Sequence, residues 1–335
     1  MNSSSSPSPQ DESLKYKVKV GVVILNYNGW QDTLACVESV LASIDAPSWV
    51  VIVDNASTND SVRWLRHWAV GNMEFALQEL GAPKSCPKPL PLVEIPNGAT
   101  PDIPSGSVVL LHNAENKGYA AGNNAGIRLL MQWGADAVWI LNNDTVVDER
   151  ALGAMRDQLF SKQRPGLCGA HIIYMGTNIL QCRAGGLTNP WTGLSVLNGY
   201  KRPANETLQG SPETVEEHIN FIYGACVLAT RDFIETVGLM DERYFLYSEE
   251  QDWAYSAKNH FDFAYAPNAI VYHKEGASTG MSSNSVKLRM FWHLTRSRLL
   301  LTIKHKPMAL PTVCLSIVYA AFRMMWRRCI SKIFG

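Results

Sequence analysis

The sequence predicts an α/β fold: a mostly parallel central sheet with flanking helices, followed by a helical tail. Three features carry that expectation. Short, nearly uncharged runs rich in β-branched residues recur along the chain, as strands buried on both faces require. Helix-spaced segments separate them, and strand–helix alternation with short connections closes into a parallel sheet. Past residue 280 the strand signal stops, leaving only helical spacing.

Taken in order, residues 1–16 are polar, rich in Ser and Pro, and lack the apolar stretch of a secretory signal, which predicts a disordered lead-in. Val18 to Asn26 is an almost continuous β-branched run and reads as the first strand, ending at Asn26-Tyr27-Asn28-Gly29. Leu34, Val37, Val40 and Leu41 place a helix over Trp30 to Ser43. Trp49 to Val53 is a second buried strand that closes on Asp54-Asn55-Ala56-Ser57-Thr58, where a hydroxyl can cap the following helix. Between residues 71 and 107 the periodicity dissolves among seven prolines, which predicts a surface excursion. Val108 to Leu111 resumes the sheet and leads into a Gly/Asn-rich turn and a helix through Trp133. Its small residues suit either backbone approach to a phosphate or close helix packing. The Val138 strand follows, stopping at Asn142-Asn143-Asp144; then come a helix over Asp148 to Phe160 and a strand near Gly169 to Tyr174. Gly176 to Pro212 reads as loop, Phe221 to Thr230 as one buried strand, Arg231 to Val237 as a short helix, and Phe263 to Tyr272 as the last strand, ending at His273.

With 335 residues and 46% hydrophobic content, the chain can bury a full core. Its net charge of zero conceals a polarity. Residues 281–335 hold ten Lys or Arg and no acid, leaving 20 bases against all 30 acids in residues 1–280. A basic tail on an acidic body points to an anionic surface. Lys306 to Arg323 encloses sixteen uncharged residues broken by Pro311, short of the ~20 that span a bilayer. Beyond it, Phe322, Met325, Trp326, Cys329, Ile330 and Ile333 share one helical face, and Arg323, Arg327, Arg328 and Lys332 the other. That pattern reads as a helix lying in a membrane interface, although one apolar face serves a homodimer as readily. Seven scattered cysteines without a CxxC pair argue against a zinc module or a disulfide framework. The expected location is cytoplasmic, peripheral on the inner face of the cell membrane.

In open α/β sheets, ligands sit beyond the carboxyl ends of the strands. Asp54, Asn142 to Asp144 and His273 each end a predicted strand, and Glu249, Glu250 and Asp252 open a predicted helix. Singly these are weak signals: a strand-end Asp is often a helix cap, and acids stabilise a helix N-terminus. Jointly they predict one site.

NYNG after the first strand, VDNAST after the second, NKGYAAGNNAGI, LNNDTVVD, and SEEQDWAYS preceding VYHKEGAS resemble the family 2 glycosyltransferases, the rhamnosyltransferase type above all. The resemblance covers roughly Val18 to Gly280, sets a domain over 17–280 with a tail over 281–335, and implies the Rossmann-like GT-A fold. It also implies a nucleoside-diphosphate sugar donor, dTDP- or UDP-linked, a divalent cation, and inverting transfer to a glycan or lipid-linked acceptor. Asp144 matches the last Asp of the family's DxD motif, with Asn142 in place of the first. His273 matches a position that completes the metal shell, where imidazole favours Mn²⁺ over Mg²⁺. Asp54 matches the carboxylate that reads the nucleotide, with Asn26 and Asn28 nearby; Asn116, Gly118, Asn123 and Asn143 fall among the donor-binding positions. Glu250 matches the general base, normally Asp, and Asp252 is the reserve. Three carboxylates within four residues repel one another and raise at least one pKa.

Two other classes are weaker. A nucleotidyltransferase acting on a sugar phosphate needs a basic Gly-rich loop after the first strand, and NYNGW offers none. A non-catalytic nucleotide or nucleic-acid binder relying on the tail lacks any nucleic-acid motif, so no nucleic-acid partner is expected.

Overall fold

Strand β1 (Val20–Asn26) lies inside the parallel half of the sheet because VGVVILN carries no polar side chain before Asn26. The computed structural model describes residues 18–73, 86–96, 98–205, 211–257, 260–275 and 284–334, so the segment 1–16 lies outside the described residues. After β1 come α1 (Trp30–Leu41), β2 (Trp49–Asp54), α2 (Ser61–Ala69), β3 (Leu92–Pro96), β4 (Ser107–His112), α3 (Tyr119–Gln132), β5 (Ala137–Asn142), β6 (Thr145–Val147) and α4 (Ala151–Phe160). The second half holds β7 (Pro165–Tyr174), β8 (Leu180–Arg183), β9 (Gly185–Asn189), β10 (Leu194–Leu197), α5 (Pro212–Glu216), β11 (Phe221–Ile222), β12 (Cys226–Thr230), α6 (Arg231–Val237), α7 (Glu249–Ala257) and β13 (Asp262–His273). Two long helices, α8 (Asn284–His305) and α9 (Leu310–Phe334), end the chain.

The main sheet runs β3-β4-β2-β1-β5-β12-β7-β13-β6, with β8 added on β7. Its first five strands are parallel, β12 enters antiparallel, and β6 pairs antiparallel with β13 at the far edge. Each face carries its own apolar cluster: Leu34, Val37, Leu65 and Trp68 on one side, Ile127, Leu130, Phe233 and Trp253 on the other. Burying each large aliphatic side chain contributes about 1.5–3 kcal/mol, so these faces supply most of the drive for layering.

Three expectations change. The Pro-rich excursion contains β3, a parallel edge strand on β4; its Pro96 is the last residue, and an edge strand tolerates a missing N–H. The stretch expected as loop over 176–212 contains β8 and the β9–β10 hairpin of a second, three-stranded sheet. The run FIYGACVLAT is interrupted at Tyr223–Ala225, so that β11 joins the small sheet and β12 the large one.

The Gly-rich turn serves packing. A Cβ on Gly122 would lie 2.5 Å from Leu25 Cδ1, and one on Gly126 would lie 2.8 Å from Val23 Cγ1, so these positions let α3 close on β1. At the helix start, Tyr119 N–H donates to Phe245 O at 2.8 Å, and Gly118 adopts φ 98° with the Phe245 carbonyl 2.2 Å from where its Cβ would stand. Gly118→Ala is therefore expected to cost roughly 1–3 kcal/mol, from backbone strain and displacement of the 244–247 loop. Urea melts check it, and an unchanged midpoint would show that the loop is not seated there.

Candidate active site

Beyond the carboxyl ends of β1, β2 and β5 lies a cleft of about 470 Å³, walled by Asn55, Asn116, Gly118, Asn142, Asn143, Asp144, Tyr223, Tyr247, His273 and Arg289 among others. A more open hollow of about 760 Å³, lined by Lys162, Arg164, Tyr255 and Phe263, holds none of the expected site residues.

Asp144 occupies the turn between β5 and β6. That turn is held from below: Asn143 Nδ2 donates to Gly29 O (3.2 Å) and Thr33 Oγ1 (3.1 Å), and Thr145 Oγ1 donates to Asn142 O (2.7 Å). Lys274 N–H donates to Asp144 O at 3.0 Å, carrying the β6–β13 pairing one residue past His273. Asp144 Oδ1 and His273 Nε2 consequently stand 3.1 Å apart, both side chains buried. An anionic oxygen and an imidazole nitrogen on one spot form a donor set that suits Mn²⁺. Among the described residues no three His, Cys, Asp or Glu side chains gather to hold a metal by themselves. The half-buried Asn142 borders the same cleft, so a cation here would have two strong protein ligands and room for oxygens of a bound diphosphate.

The other predicted residues divide. Asn116 and Gly118 line the cleft, Asn116 Oδ1 accepting from Asn55 Nδ2 at 2.9 Å. Asp54 does not line it. Its carboxylate is buried, accepting from Asn26 Nδ2 (2.7 Å) and Ser57 N–H (3.1 Å), and the neighbouring Asn55 faces the cleft instead. Asn26 and Asn28 complete that network: Asn26 Oδ1 accepts from Thr33 Oγ1 (2.9 Å), while Asn28 Oδ1 accepts from Thr58 N–H (2.8 Å) and Asn59 N–H (3.2 Å). Asn123 is fully buried within α3, donating to Tyr119 O at 3.0 Å.

The acids of α7 separate just as sharply. Asp252 accepts from Lys304 Nζ (2.7 Å), His305 Nε2 (2.7 Å) and Tyr244 Oη (3.2 Å), so it ties α7 to the end of α8 and stands outside the cleft lining. Glu250 is half-buried beside Gly224: a Cβ there would be 3.6 Å from both Glu250 Oε1 and Tyr119 Oη. It lies just behind the cleft wall made by Tyr119 and Tyr223. Burial pushes its carboxyl up to about 7. Burial also raises Glu249 well above the carboxylate range, with the Glu250 charge second, so desolvation outweighs the mutual repulsion expected from the sequence. Tyr247 and Ser248, which lead into α7, adopt φ 70° and 67°, an uncommon pair for non-glycine residues.

Sequence reasoning missed the contribution of α8. Arg289, Met290 and His293 line the cleft, His293 stacks on Phe245 at 4.8 Å, and Arg296 Nη1 donates to Arg243 O at 2.7 Å. The 289, 293, 296 spacing was a readable helical face; nothing linear said that it would meet the 243–247 loop.

No protein-family model matches the chain. It is 27% identical over 224 residues, 58% of its length, to the N-acetylglucosaminyl-diphospho-decaprenol L-rhamnosyltransferase of Mycobacterium tuberculosis, of which the match spans 69%. It is 20% identical over 257 residues to the low-salt glycan biosynthesis hexosyltransferase Agl10 of Haloferax volcanii, covering 71% of this chain and 61% of that one. Among solved structures it resembles the Pyrobaculum calidifontis mannosyltransferase PcManGT, in complex with GDP-Man and Mn²⁺, with TM-score 0.54 and 15% identity over 96% of this chain and 82% of that one. GalNAc-T7 with UDP, GalNAc and Mn²⁺ gives TM-score 0.52 at 14% identity, over 77% and 44% of the two chains. The sheet order, the placement of the cleft and these likenesses together define a glycosyltransferase of the GT-A fold. In sequence it is similar to a rhamnosyltransferase and to a glycan hexosyltransferase.

Asp252 is the shared partner of Lys304 and His305, so removing it takes away the acceptor that joins both to α7 and leaves Lys304 with Asp241 alone. Asp252→Ala is expected to lower stability by about 3 kcal/mol, the low end for a buried pair since Lys304 is a third exposed. Turnover of the molecules that remain folded should persist. Loss of turnover with an unchanged melting temperature would return Asp252 to the reaction.

Proposed function

We propose that the chain transfers a sugar, rhamnose favoured, from a dTDP- or UDP-linked donor to a hydroxyl of a lipid-linked or polysaccharide acceptor at the cytoplasmic membrane face, with inversion at the anomeric carbon. One observation carries the reading: Asp144 and His273, 129 residues apart in sequence, meet at 3.1 Å in the cleft of a glycosyltransferase fold. The relatives supply the substrate classes, since one is named for a decaprenol diphosphate acceptor and the fold neighbours hold nucleotide sugars or nucleotides with Mn²⁺.

In this reading Asp144 and His273 hold a divalent cation, Mn²⁺ before Mg²⁺, with Asn142 beside them. When bound, such a cation stabilises the negative charge on the departing diphosphate. Asn55, Asn116, Gly118 and Asn143 border the donor. Asp54, Asn26 and Asn28 act one layer back, fixing the strand ends that present Asn55 and the β5–β6 turn, and Asn123 keeps α3 in register with them. Glu250 takes the acceptor hydroxyl's proton as the oxygen attacks the anomeric carbon. The transferase domain spans 17–280 and the basic region 281–335 serves the membrane. Leu315, Val318, Tyr319, Phe322 and Trp326 follow helical spacing along α9, each more than half exposed, while no helix among the described residues is long and apolar enough to cross a bilayer. A helix with that uncovered face and basic flanks lies along a lipid surface.

Asp144→Ala is expected to abolish nucleoside-diphosphate release from a panel of dTDP-, UDP- and GDP-sugars supplied with Mn²⁺ or Mg²⁺, with the melting temperature kept. Release at the unaltered rate would remove the cation site from the reaction. Glu250 binds a proton below about pH 7, so base catalysis should rise with pH through that value. Glu250→Gln should lose about 10²–10⁴-fold in turnover and flatten that limb. The sign for stability is opposite: the folded state holds this proton more tightly than the unfolded chain, so stability falls between the ordinary value of 4.5 and about 7. Glu250→Gln should therefore melt higher than the unaltered chain at pH 8, with the gap shrinking toward pH 5. Deleting residues from Met308 onward should weaken flotation with anionic vesicles; an undiminished floating fraction, with a dimer lost in sedimentation, would assign the apolar face to a second copy.

A further inference from the structure

Strand β8 carries a feature the reading above leaves unused. Its pairing with β7 joins Ile172 to Cys182 and Ile173 to Leu180, which leaves Gln181 as the extra residue of a β-bulge. A bulge spends a ladder hydrogen bond to re-aim one side chain, and bulges gather beside active sites. Here the re-aimed side chain is a fully buried amide directed at His273.

The hydrogen bonds fix the imidazole. Gln181 Nε2 donates to Tyr223 Oη at 3.3 Å, which turns Oε1 toward His273 Nδ1 at 2.7 Å. A carbonyl oxygen only accepts, so Nδ1 carries the proton and donates it. In the neutral ring Nε2 then offers its lone pair toward Asp144 Oδ1, 3.1 Å away. Two electron-pair donors at that separation repel each other unless a proton on Nε2 or a cation lies between them, and a divalent cation would take the place of that proton. A ligating imidazole elsewhere is held in the same manner, its second nitrogen donating to an oxygen that sets the ring's tautomer and its basicity.

We propose that Gln181 is a positioning residue of the cation site: with Tyr223 it holds His273 in the tautomer that offers Nε2 to a divalent cation shared with Asp144. The proposal rests on the cation reading given under the proposed function. It adds that β8, outside the parallel half of the sheet, sets the metal affinity of the β5–β6 turn through one amide.

The test measures metal binding directly. Free Mn²⁺ is followed by electron paramagnetic resonance while the full-length chain is titrated in the presence of UDP, and melting temperatures report folding. Gln181→Met keeps the volume and removes the acceptor; it should weaken Mn²⁺ binding by about tenfold or more. Gln181→Glu keeps an acceptor on Nδ1 and should bind Mn²⁺ more tightly than Gln181→Met. Tyr223→Phe leaves Oε1 in place but frees the amide to turn, so it should give a smaller loss in the same direction, and it stands in if Gln181→Met does not fold. His273→Ala is the reference. If His273→Ala loses Mn²⁺ and neither Gln181→Met nor Tyr223→Phe does, the positioning role is overturned and the cation site stands. Equal losses in folded Gln181→Met and Gln181→Glu would reduce Gln181 to packing. If His273→Ala binds Mn²⁺ as well as the unaltered chain, the cation reading itself fails.

Discussion

The short antiparallel pairing of β6 on β13 is the constraint on which the site depends. Thr145 stands opposite His273 and Val147 opposite Val271, and this register alone brings Asp144 alongside the end of β13. Side chains alternate along a strand, so a slip of one residue would turn His273 to the other face and dissolve the pair. The register is protected by burial. Thr145, Val146 and Val147 are buried, Val147 N–H is bonded to Ser39 Oγ on α1, and β13 is secured along its other edge by nine aligned positions on β7. The chemistry is thus held by packing far heavier than the two side chains that would perform it.

That difference explains what could be read from the sequence. Strands such as β2 and β5 announce themselves, because a strand covered on both faces must be apolar throughout and ends where it meets water. The same logic placed Asp144 and His273 at strand ends facing one cleft. It failed for Asp54, which also ends a buried strand: a carboxylate flanked by Asn26 and the Ser57 N–H satisfies itself within the turn, and its neighbour takes the outward position. Position along a strand fixes depth, whereas facing depends on hydrogen bonds made by residues distant in sequence. Gln181 illustrates the limit. Within LQCR it has no compositional mark, since a bulge is a property of two strands and only one of them was in view.

Helix α7 gathers several features that oppose folding. Two adjacent carboxyls stand at its start, Glu249 buried with an oxygen that has no hydrogen-bond partner among the described residues and Glu250 half-buried, and two non-glycine residues before them hold left-handed backbone conformations. Each feature opposes folding, and such features concentrate where a structure has a task beyond staying folded. Asp252 balances them from the same helix. Its contacts with Lys304, His305 and Tyr244 fasten the start of α7 to the end of α8 and to the 244–247 loop.

The same fastening revises the meaning of the charge asymmetry. Counted along the sequence, ten cations face no acid after residue 280, and all appear available to an external anion. In the folded chain several are spent inward: Lys304 on Asp241 and Asp252, Arg298 on Thr192 O and Ser316 Oγ, Arg296 on a backbone carbonyl, and Lys306 over the Trp191 ring at 4.6 Å. Part of the acidic surplus of the body is therefore the counter-charge of α8, which explains how a chain so polarised holds its tail against its core. Under the membrane reading proposed above, α9 would meet a lipid surface with its apolar face as well as with Arg323, Arg327, Arg328 and Lys332. Since burial of the apolar face is only weakly screened by salt while headgroup attraction is strongly screened, such an attachment should weaken with ionic strength but persist where a purely electrostatic tail is stripped.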